Sequence, residues 1–334
     1  MMLPNRPLIA LTLLVAAPSL ATSTGARAAD SCELHMVASI PAKLSPSNQL
    51  LIDVSINDTP VKIQVDTGTQ SSTLSTKFAT RIGMPIENMA GVVYGLTGEA
   101  LNQMTRIRTL RLGKAVNTNA AVVLMPVGGD GTDDQPVGLF GADYLQNYDV
   151  EIDTVGGKMN LFTHDHCPDR VVYWAPDFFK SKIYYVGNSL AHRPTMDISV
   201  EGKPLRAVID TGAYANVMRL AVAQDRFGLS PDSPDMQKFG ETRGIEGRVL
   251  QTYQHMFQSL TFGEITLHNT KMVIAPINTA AHAPVTGSRI NTGMGDQPDA
   301  FIGMSLLKQL HMFIAYDENT LYYTIAKPTQ AAAQ

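Results

Sequence analysis

The chain carries VKIQVDTG at residues 61–68 and LRAVIDTG at residues 205–212. In each copy a short apolar run that is typical of a strand ends in Asp-Thr-Gly. One such tripeptide is weak evidence, because Asp and Gly are common in turns. Two copies, Asp66-Thr67-Gly68 and Asp210-Thr211-Gly212, at the ends of matching runs predict two carboxylates in equivalent places.

Landmarks around the two tripeptides repeat in the same order. An offset of 144 residues aligns IDVSI at 52–56 with MDISV at 196–200. An offset of 162 aligns LFG at 139–141 with FIG at 301–303, so the offset grows where loops can lengthen. The sequence therefore indicates an internal duplication of one unit, not a short-period solenoid.

Composition limits the classes of function. The 334 residues are 44% hydrophobic and 17% charged, which suffices for a sizeable core and suggests two domains. The formal net charge is −4 and no basic tract occurs, so neither nucleic acid nor an anionic membrane surface is an expected partner.

The N-terminus has the pattern of an export signal. Arg6 precedes an apolar stretch from Leu8 to Ala17, and Ala26-Arg27-Ala28 fits the small-x-small rule for signal peptidase. An uncleaved anchor is the alternative, but ten apolar residues are short for a bilayer. We expect residues 1–28 to be removed, the protein to be periplasmic or secreted without a further membrane span, and residues 29–48 to form a short polar leader.

The chain has two cysteines, Cys32 and Cys167. They can form a disulfide in an oxidising compartment or remain free thiols. The run His164-Asp165-His166-Cys167 contains metal-ligating residue types, but its spacing matches no familiar zinc pattern and a polar turn explains it. No metal site is predicted.

Local patterns divide the rest of the chain. Helices are predicted from Ser75 to Ile82 and from Asn216 to Phe227, with Ser75 and Asn216 as caps. We expect lobes at residues 49–165 and 193–328 and a loose tail at 329–334. Residues 166–192 are rich in aromatic side chains, so we expect this inter-lobe segment to pack between the lobes.

Two glycine-bounded hairpin tips occupy equivalent places in the units. They are Tyr94-Gly95-Leu96-Thr97-Gly98 and Gly244-Ile245-Glu246-Gly247. Each can be a plain tight hairpin or a mobile flap over a cleft, and the positions favour flaps.

The tripeptides with their apolar-apolar-Gly partners resemble the aspartic peptidases. Here the pattern occurs twice, and residues 141–153 are similar to the retropepsin-like branch. The resemblance implies a mostly β protein with two similar barrel-like lobes, short helices and a cleft between the lobes. It makes Asp66 and Asp210 the catalytic pair, with Thr67 and Thr211 bonding across the interface and with supporting residues Gly68, Thr69, Gly212, Gly141 and Gly303.

The chain also departs from the pepsin pattern. Ala213 stands where pepsin-type enzymes carry a Ser or Thr hydroxyl, which should disfavour the ionised form of Asp210. Two flaps are predicted instead of one, and Tyr94 resembles the flap tyrosine of pepsins although its hairpin tip is one residue longer. The resemblance therefore implies a retropepsin-like unit that is duplicated and fused in one monomeric chain.

The chemistry follows from two facing acids. Two adjacent carboxyls share a proton, a behaviour for which aspartic-protease pairs are the reference case. One can accept a proton from water while the other polarises a carbonyl, without cofactor, metal or covalent intermediate. We expect an endopeptidase acting on extended peptides; the alternative is a non-catalytic protein that binds peptides or a partner. Both Asp residues are intact, which favours the enzyme.

Overall fold

A computed structural model describes residues 33–95, 100–185, 192–244, 247, 249–277 and 297–326. The elements of the N-terminal half are β1 (Met36–Leu44), β2 (Leu50–Ile56), β3 (Thr59–Val65), β4 (Thr73–Ser75), α1 (Thr76–Arg81), β5 (Glu87–Tyr94), β6 (Ala100–Leu112), β7 (Ala115–Met125), β8 (Gly138–Phe140), α2 (Ala142–Leu145), β9 (Asp149–Asp153) and β10 (Lys158–Phe162). Those of the C-terminal half are β11 (Phe179–Lys182), β12 (Thr195–Val200), β13 (Lys203–Ile209), β14 (Val217–Arg219), α3 (Leu220–Phe227), β15 (Gln237–Arg243), β16 (Val249–Phe262), β17 (Ile265–Ala275), β18 (Ala300–Ile302), α4 (Met304–Leu307), β19 (Leu310–Ala315) and β20 (Thr320–Ile325).

The protein is mostly β, with two similar lobes built on the same strand plan. In the first lobe the order β2-β3-β8-β4-β7-β6 closes on itself through pairing of β2 with β6. In the second lobe β12-β13-β18-β14-β17-β16 forms the matching ring through pairing of β12 with β16. In each ring the strand that leads to Asp-Thr-Gly, β3 or β13, runs parallel to the short strand of the apolar-apolar-Gly element. The duplication predicted from the sequence is therefore present in the fold.

A separate sheet joins the two lobes. Strands β11-β20-β19-β9-β10-β1 form a six-stranded sheet to which both lobes contribute their closing hairpins. In β9 and β19 the residues that face the lobes are apolar, including Val150, Ile152, Met312 and Ile314, and all are buried. Burial of this face against the rest of the core connects the lobes through apolar packing.

The N-terminal leader contains a strand. Ala38, Ile40 and Ala42 alternate with exposed residues along β1 and are buried, so this part of the predicted polar leader is a strand that pairs with β10 and β2. The period-two pattern is present in the sequence, but the small side chains and Pro41 weaken it.

The aromatic segment covers one face of the joining sheet. Val171 is buried with Phe162, Phe313 and Tyr322, and Val172, Trp174 and Phe178 pack on the same cluster. The expectation that this segment packs between the lobes is refined accordingly: residues 171–178 lie on the outer face of the sheet that the lobes share, and Phe179–Lys182 form its edge strand β11.

Helix boundaries differ from the sequence predictions. Ser75 does precede α1, but its side chain makes no capping hydrogen bond. The predicted start of the next helix at Asn216 is wrong, because Val217–Arg219 form β14 and α3 begins at Leu220. Pairing of β14 with β17 and β18 outweighs the local helix signal. Among the described residues no helix has both the length and the apolar character needed to cross a membrane.

Candidate active site

The two Asp-Thr-Gly turns begin in the same way. The amide of Asp66 donates to the carbonyl of Phe140 at 3.0 Å, and the amide of Asp210 donates to the carbonyl of Ile302 at 2.9 Å. Each bond continues the parallel pairing of the strand before the acid. The repeated apolar-apolar-Gly elements thus fix where both strands end.

Backbone amides hold one oxygen of each carboxyl group. Oδ1 of Asp66 accepts from the amides of Gly68 at 3.0 Å and Thr69 at 2.9 Å. Oδ1 of Asp210 accepts from the amides of Gly212 at 2.8 Å and Ala213 at 3.1 Å. The same two-amide turn occurs in both lobes, so backbone amides orient both acids.

The fold brings the two carboxyl groups together. Each carboxyl lies against the glycine of the opposite turn, and the two acids interact electrostatically. A Cβ added to Gly68 would lie 2.3 Å from Cγ of Asp210, and one added to Gly212 would lie 2.2 Å from Cγ of Asp66. Glycine is therefore required at both positions, because any side chain would occupy the space of the opposite carboxyl.

The two threonines lock the turns to one another. Oγ1 of Thr67 donates to the carbonyl of Ile209 at 2.6 Å and accepts from the amide of Thr211 at 3.1 Å. Oγ1 of Thr211 donates to the carbonyl of Val65 at 2.9 Å and accepts from the amide of Thr67 at 3.1 Å. These are the cross-lobe bonds that the resemblance implied, and both side chains are fully buried.

One polar side chain in each lobe supports the turn of that lobe. The amide of Gly141 donates to Oγ of Ser72 at 2.8 Å, and the amide of Gly303 donates to Oδ1 of Asn216 at 3.0 Å. Asn216 was expected to cap a helix, but it instead takes the place of Ser72 at the same offset of 144 residues. The two side chains differ and the bond is the same.

Burial and proximity set the protonation of the pair. Burial raises the pKa of Asp66 well above its ordinary value, and the charge of Asp210 raises it further. Burial also raises the pKa of Asp210, while the amides of Gly212 and Ala213 and the charge of Arg193 oppose that rise. A pair of this kind shares a proton.

Comparison with known proteins agrees with this geometry. The model of the aspartyl protease family matches residues 52–144 and 196–306, once in each unit and over more than half of the chain. The chain belongs to the aspartyl protease family. No curated protein matches it.

One hydroxyl in this aspartyl protease differs from expectation. Oγ1 of Thr69 donates to the carbonyl of Ser71 at 3.4 Å, not to the carboxyl of Asp66. Asp66 therefore gains no threonine hydroxyl that Asp210 lacks, and Ala213 does not by itself distinguish the two acids. Any difference in how readily the two acids ionise must therefore come from other neighbouring groups.

The hairpin tips are described only in part. Tyr94 ends β5 with an exposed side chain, and Gly95 follows it, whereas Leu96, Thr97 and Gly98 lie outside the described residues. In the second hairpin Gly244 accepts from the amide of Gly247 at 2.9 Å, and Ile245 and Glu246 lie outside the described residues.

The second hairpin reaches across to the first lobe. A Cβ on Gly247 would come within 3.7 Å of Val127 and 3.8 Å of Pro126, which follow β7 of the first lobe. This contact is consistent with a hairpin that overlies the inter-lobe region. A role as a flap stays a prediction.

Sequence reasoning missed two neighbours of the pair. The side-chain amide of Gln64, one residue before the end of β3, donates to the carbonyl of Gly212 at 3.1 Å. Arg193 lies near both acids and interacts electrostatically with Asp210 and Asp66. A signal was available, because Arg193 precedes Asp210 by 17 residues and Gln49 precedes Asp66 by the same distance.

The histidine run near Cys167 has a structural explanation. His164 Nδ1 contacts Asp149 Oδ1 at 2.9 Å, and His166 contacts the other oxygen of the same buried carboxylate. No group of three or more His, Cys, Asp or Glu side chains in the described part of the chain is arranged to hold a metal. Cys167 is disulfide-bonded, and Cys32 lies outside the described residues.

Proposed function

We propose that this aspartyl protease is an endopeptidase that hydrolyses peptide bonds with a water molecule activated between Asp66 and Asp210. The observation that carries the proposal is the approach of two buried carboxyls, each held by two amides of its own turn and each lying against the glycine of the opposite turn. Two acids in contact are an unfavourable arrangement for stability alone, and perturbed acids of this kind concentrate at functional sites.

The proposed reaction uses one shared proton. The ionised carboxylate removes a proton from water as the water oxygen bonds to the peptide carbonyl carbon, while the protonated partner donates to the carbonyl oxygen. The resulting tetrahedral intermediate collapses as the C–N bond breaks: the leaving amine takes a proton from one carboxyl, and a hydroxyl of the intermediate returns a proton to the other as the C=O bond re-forms. The products are a carboxylic acid and an amine, and the pair again holds one proton.

The flanking surfaces suit an extended peptide. Partly buried apolar side chains pack on the clusters beside the strands that carry the acids, Val93 and Val127 in the first lobe and Val217 in the second. Exposed strand backbone in the hairpins can bind a peptide by adding a strand, and apolar walls can accept its side chains. We propose export to the periplasm or the medium as the setting, from the N-terminal signal pattern, and a monomer as the working form.

The test is hydrolysis of a mixed peptide library by the purified protein between acid and neutral pH. Asp66→Asn and Asp210→Asn should each lower the rate by about 10²–10⁴-fold, because each removes a group that transfers or holds the proton. Asp53→Asn is the matched control, since Asp53 is an exposed acid on β2 in the first lobe. It should hydrolyse the library as the parent does.

Two outcomes would contradict the proposal. Hydrolysis unaffected by both substitutions at the pair would exclude the assigned acids. Stoichiometric peptide binding without turnover by the unsubstituted protein would favour a non-catalytic peptide-binding protein on the same fold.

A further inference from the structure

One basic side chain stands beside the acid pair and belongs to neither turn. In the hairpin β12–β13 Thr195 is opposite Val208, and the amide of Ile209 donates to the carbonyl of Pro194 at 2.8 Å. The strand register therefore places Arg193 next to Asp210. Its side chain is partly buried.

The only charges that act on Arg193 within the described part of the chain are those of the pair. Asp210 contributes more than Asp66, and both favour the charged guanidinium, whereas burial opposes it. No ion pair or side-chain hydrogen bond of Arg193 occurs among the described residues. An arginine stays protonated throughout the range in which carboxyl groups titrate, so its charge is fixed.

The first lobe has a neutral residue at the same place. Gln49 lies ahead of Asp66 by the offset that separates Arg193 from Asp210. The side-chain amide of Gln49 donates to Oε1 of Gln64 at 3.0 Å, and Gln64 in turn donates to the carbonyl of Gly212. A chain of neutral amides thus occupies the side of Asp66, and a cation occupies the side of Asp210.

This asymmetry has a direct electrostatic consequence. Three charged groups meet at the site: the carboxyls of Asp66 after β3 and Asp210 after β13, and the guanidinium of Arg193 before β12. A positive charge near a carboxyl favours its ionised form. The guanidinium therefore offsets part of the cost of ionising a buried acid.

We propose that Arg193 is a positioning residue of the Asp66–Asp210 pair, whose fixed charge allows the singly protonated pair to form at a lower pH than two such acids would reach alone. The effect on rate rests on the proposed function, but the effect on the titration of the pair does not. Arg193 lowers the pH at which the first proton leaves and also the pH at which the second leaves. Removal of its charge should shift both upward.

The experiment titrates the pair directly. Protein with ¹³C-labelled Asp carboxyl groups is followed by NMR against pH in the parent, Arg193→Gln, Arg193→Lys and Gln49→Arg, with Asp66→Asn and Asp210→Asn used for assignment. Arg193→Gln should raise the midpoints of the pair by about one pH unit, a tenfold change in proton affinity. Arg193→Lys should stay near the parent, and Gln49→Arg, which adds a second cation, should shift the midpoints downward.

Activity and folding are controlled separately. If the parent cleaves peptides, the acid limb of its pH–rate profile should move upward in Arg193→Gln by the same amount as the midpoint. If the parent cleaves none, the proposed function fails and the NMR titration still decides the role of Arg193. Unchanged midpoints in a folded Arg193→Gln, or in Gln49→Arg where Arg193→Gln does not fold, would overturn the proposal.

Discussion

The two lobes are nearly alike in their Asp-Thr-Gly turns and differ in the residues around those turns. Each acid accepts two amides of its own turn, and each threonine exchanges the same two bonds with the opposite lobe. The first lobe then uses Ser72 where the second uses Asn216, and Gln49 where the second uses Arg193. Positions that hold the pair in contact are the same in both copies, whereas positions that only support one copy have changed chemistry.

The shared sheet shows the same divergence on its outer face. Strand β9 of the first lobe presents three acids there, Asp149, Glu151 and Asp153, while β19 of the second presents His311, Phe313 and Ala315. Hydrogen bonds from His311, Tyr173 and Asn160 outweigh burial and lower the pKa of Glu151. The two copies have thus become complementary on this face, since the first lobe supplies the acid Glu151 and the second supplies its partner His311.

The largest expected effect on stability tests the part that is alike. Thr67→Val removes the donor to the carbonyl of Ile209 and the acceptor for the amide of Thr211. Two buried backbone groups are then left without a hydrogen-bond partner. At about 2 kcal/mol for each group, the free energy of unfolding should fall by about 4 kcal/mol in chemical denaturation. Thr211→Val should cost the same amount.

The control is Thr69→Val, whose hydroxyl makes only a long bond to the carbonyl of Ser71. It should cost less than about 1 kcal/mol. Unequal losses of unfolding free energy in Thr67→Val and Thr211→Val would contradict the comparison, because they would show that the two turns do not contribute equally to stability.

A smaller effect tests the divergent outer face. His166 is enclosed and pairs with the buried Asp149, and its Nδ1 lies 3.1 Å from Glu318 Oε1. His166→Gln leaves the carboxylate with His164 and the amide of Tyr316, so we expect a loss of about 3 kcal/mol at mildly acidic pH. His164→Gln, at a more exposed site, should cost less.

The pH dependence of that loss has a definite sign. The hydrogen bond with Asp149 raises the pKa of His166, so the folded state holds this proton more tightly than the unfolded chain. The stabilisation is complete below the unfolded value of about 6.5 and disappears as pH rises through the folded value. Denaturation of the parent and of His166→Gln at several pH values should show the difference shrinking toward alkaline pH. A difference that grew with pH would contradict the pairing with Asp149.

The sequence carried the local and repeated features of this fold. We could predict the Asp-Thr-Gly turns and their apolar-apolar-Gly partners, because each consists of adjacent residues and occurs twice. The duplication could be predicted from that repetition. The start of α3 could not, because Asn216 followed by apolar residues has the form of a helix cap while β14 depends on partners far along the chain. The place of Arg193 was missed for a different reason: the 17-residue spacing that it shares with Gln49 is in the sequence, but Arg193 belongs to no motif around the acids.

The smallest expected effect separates charge from hydrogen bonding around the pair. Gln64 and Val208 occupy equivalent positions, and only Gln64 donates to the opposite turn, at the carbonyl of Gly212. Gln64→Val makes the lobes alike here and should lower the free energy of unfolding by about 1 kcal/mol, with exposed Gln70→Val as an unaffected control. Because Gln64 is neutral, its removal should leave the titration midpoints of the acids in place. A shift as large as that expected from Arg193→Gln would mean that the amide network, and not the cation, distinguishes one acid from the other.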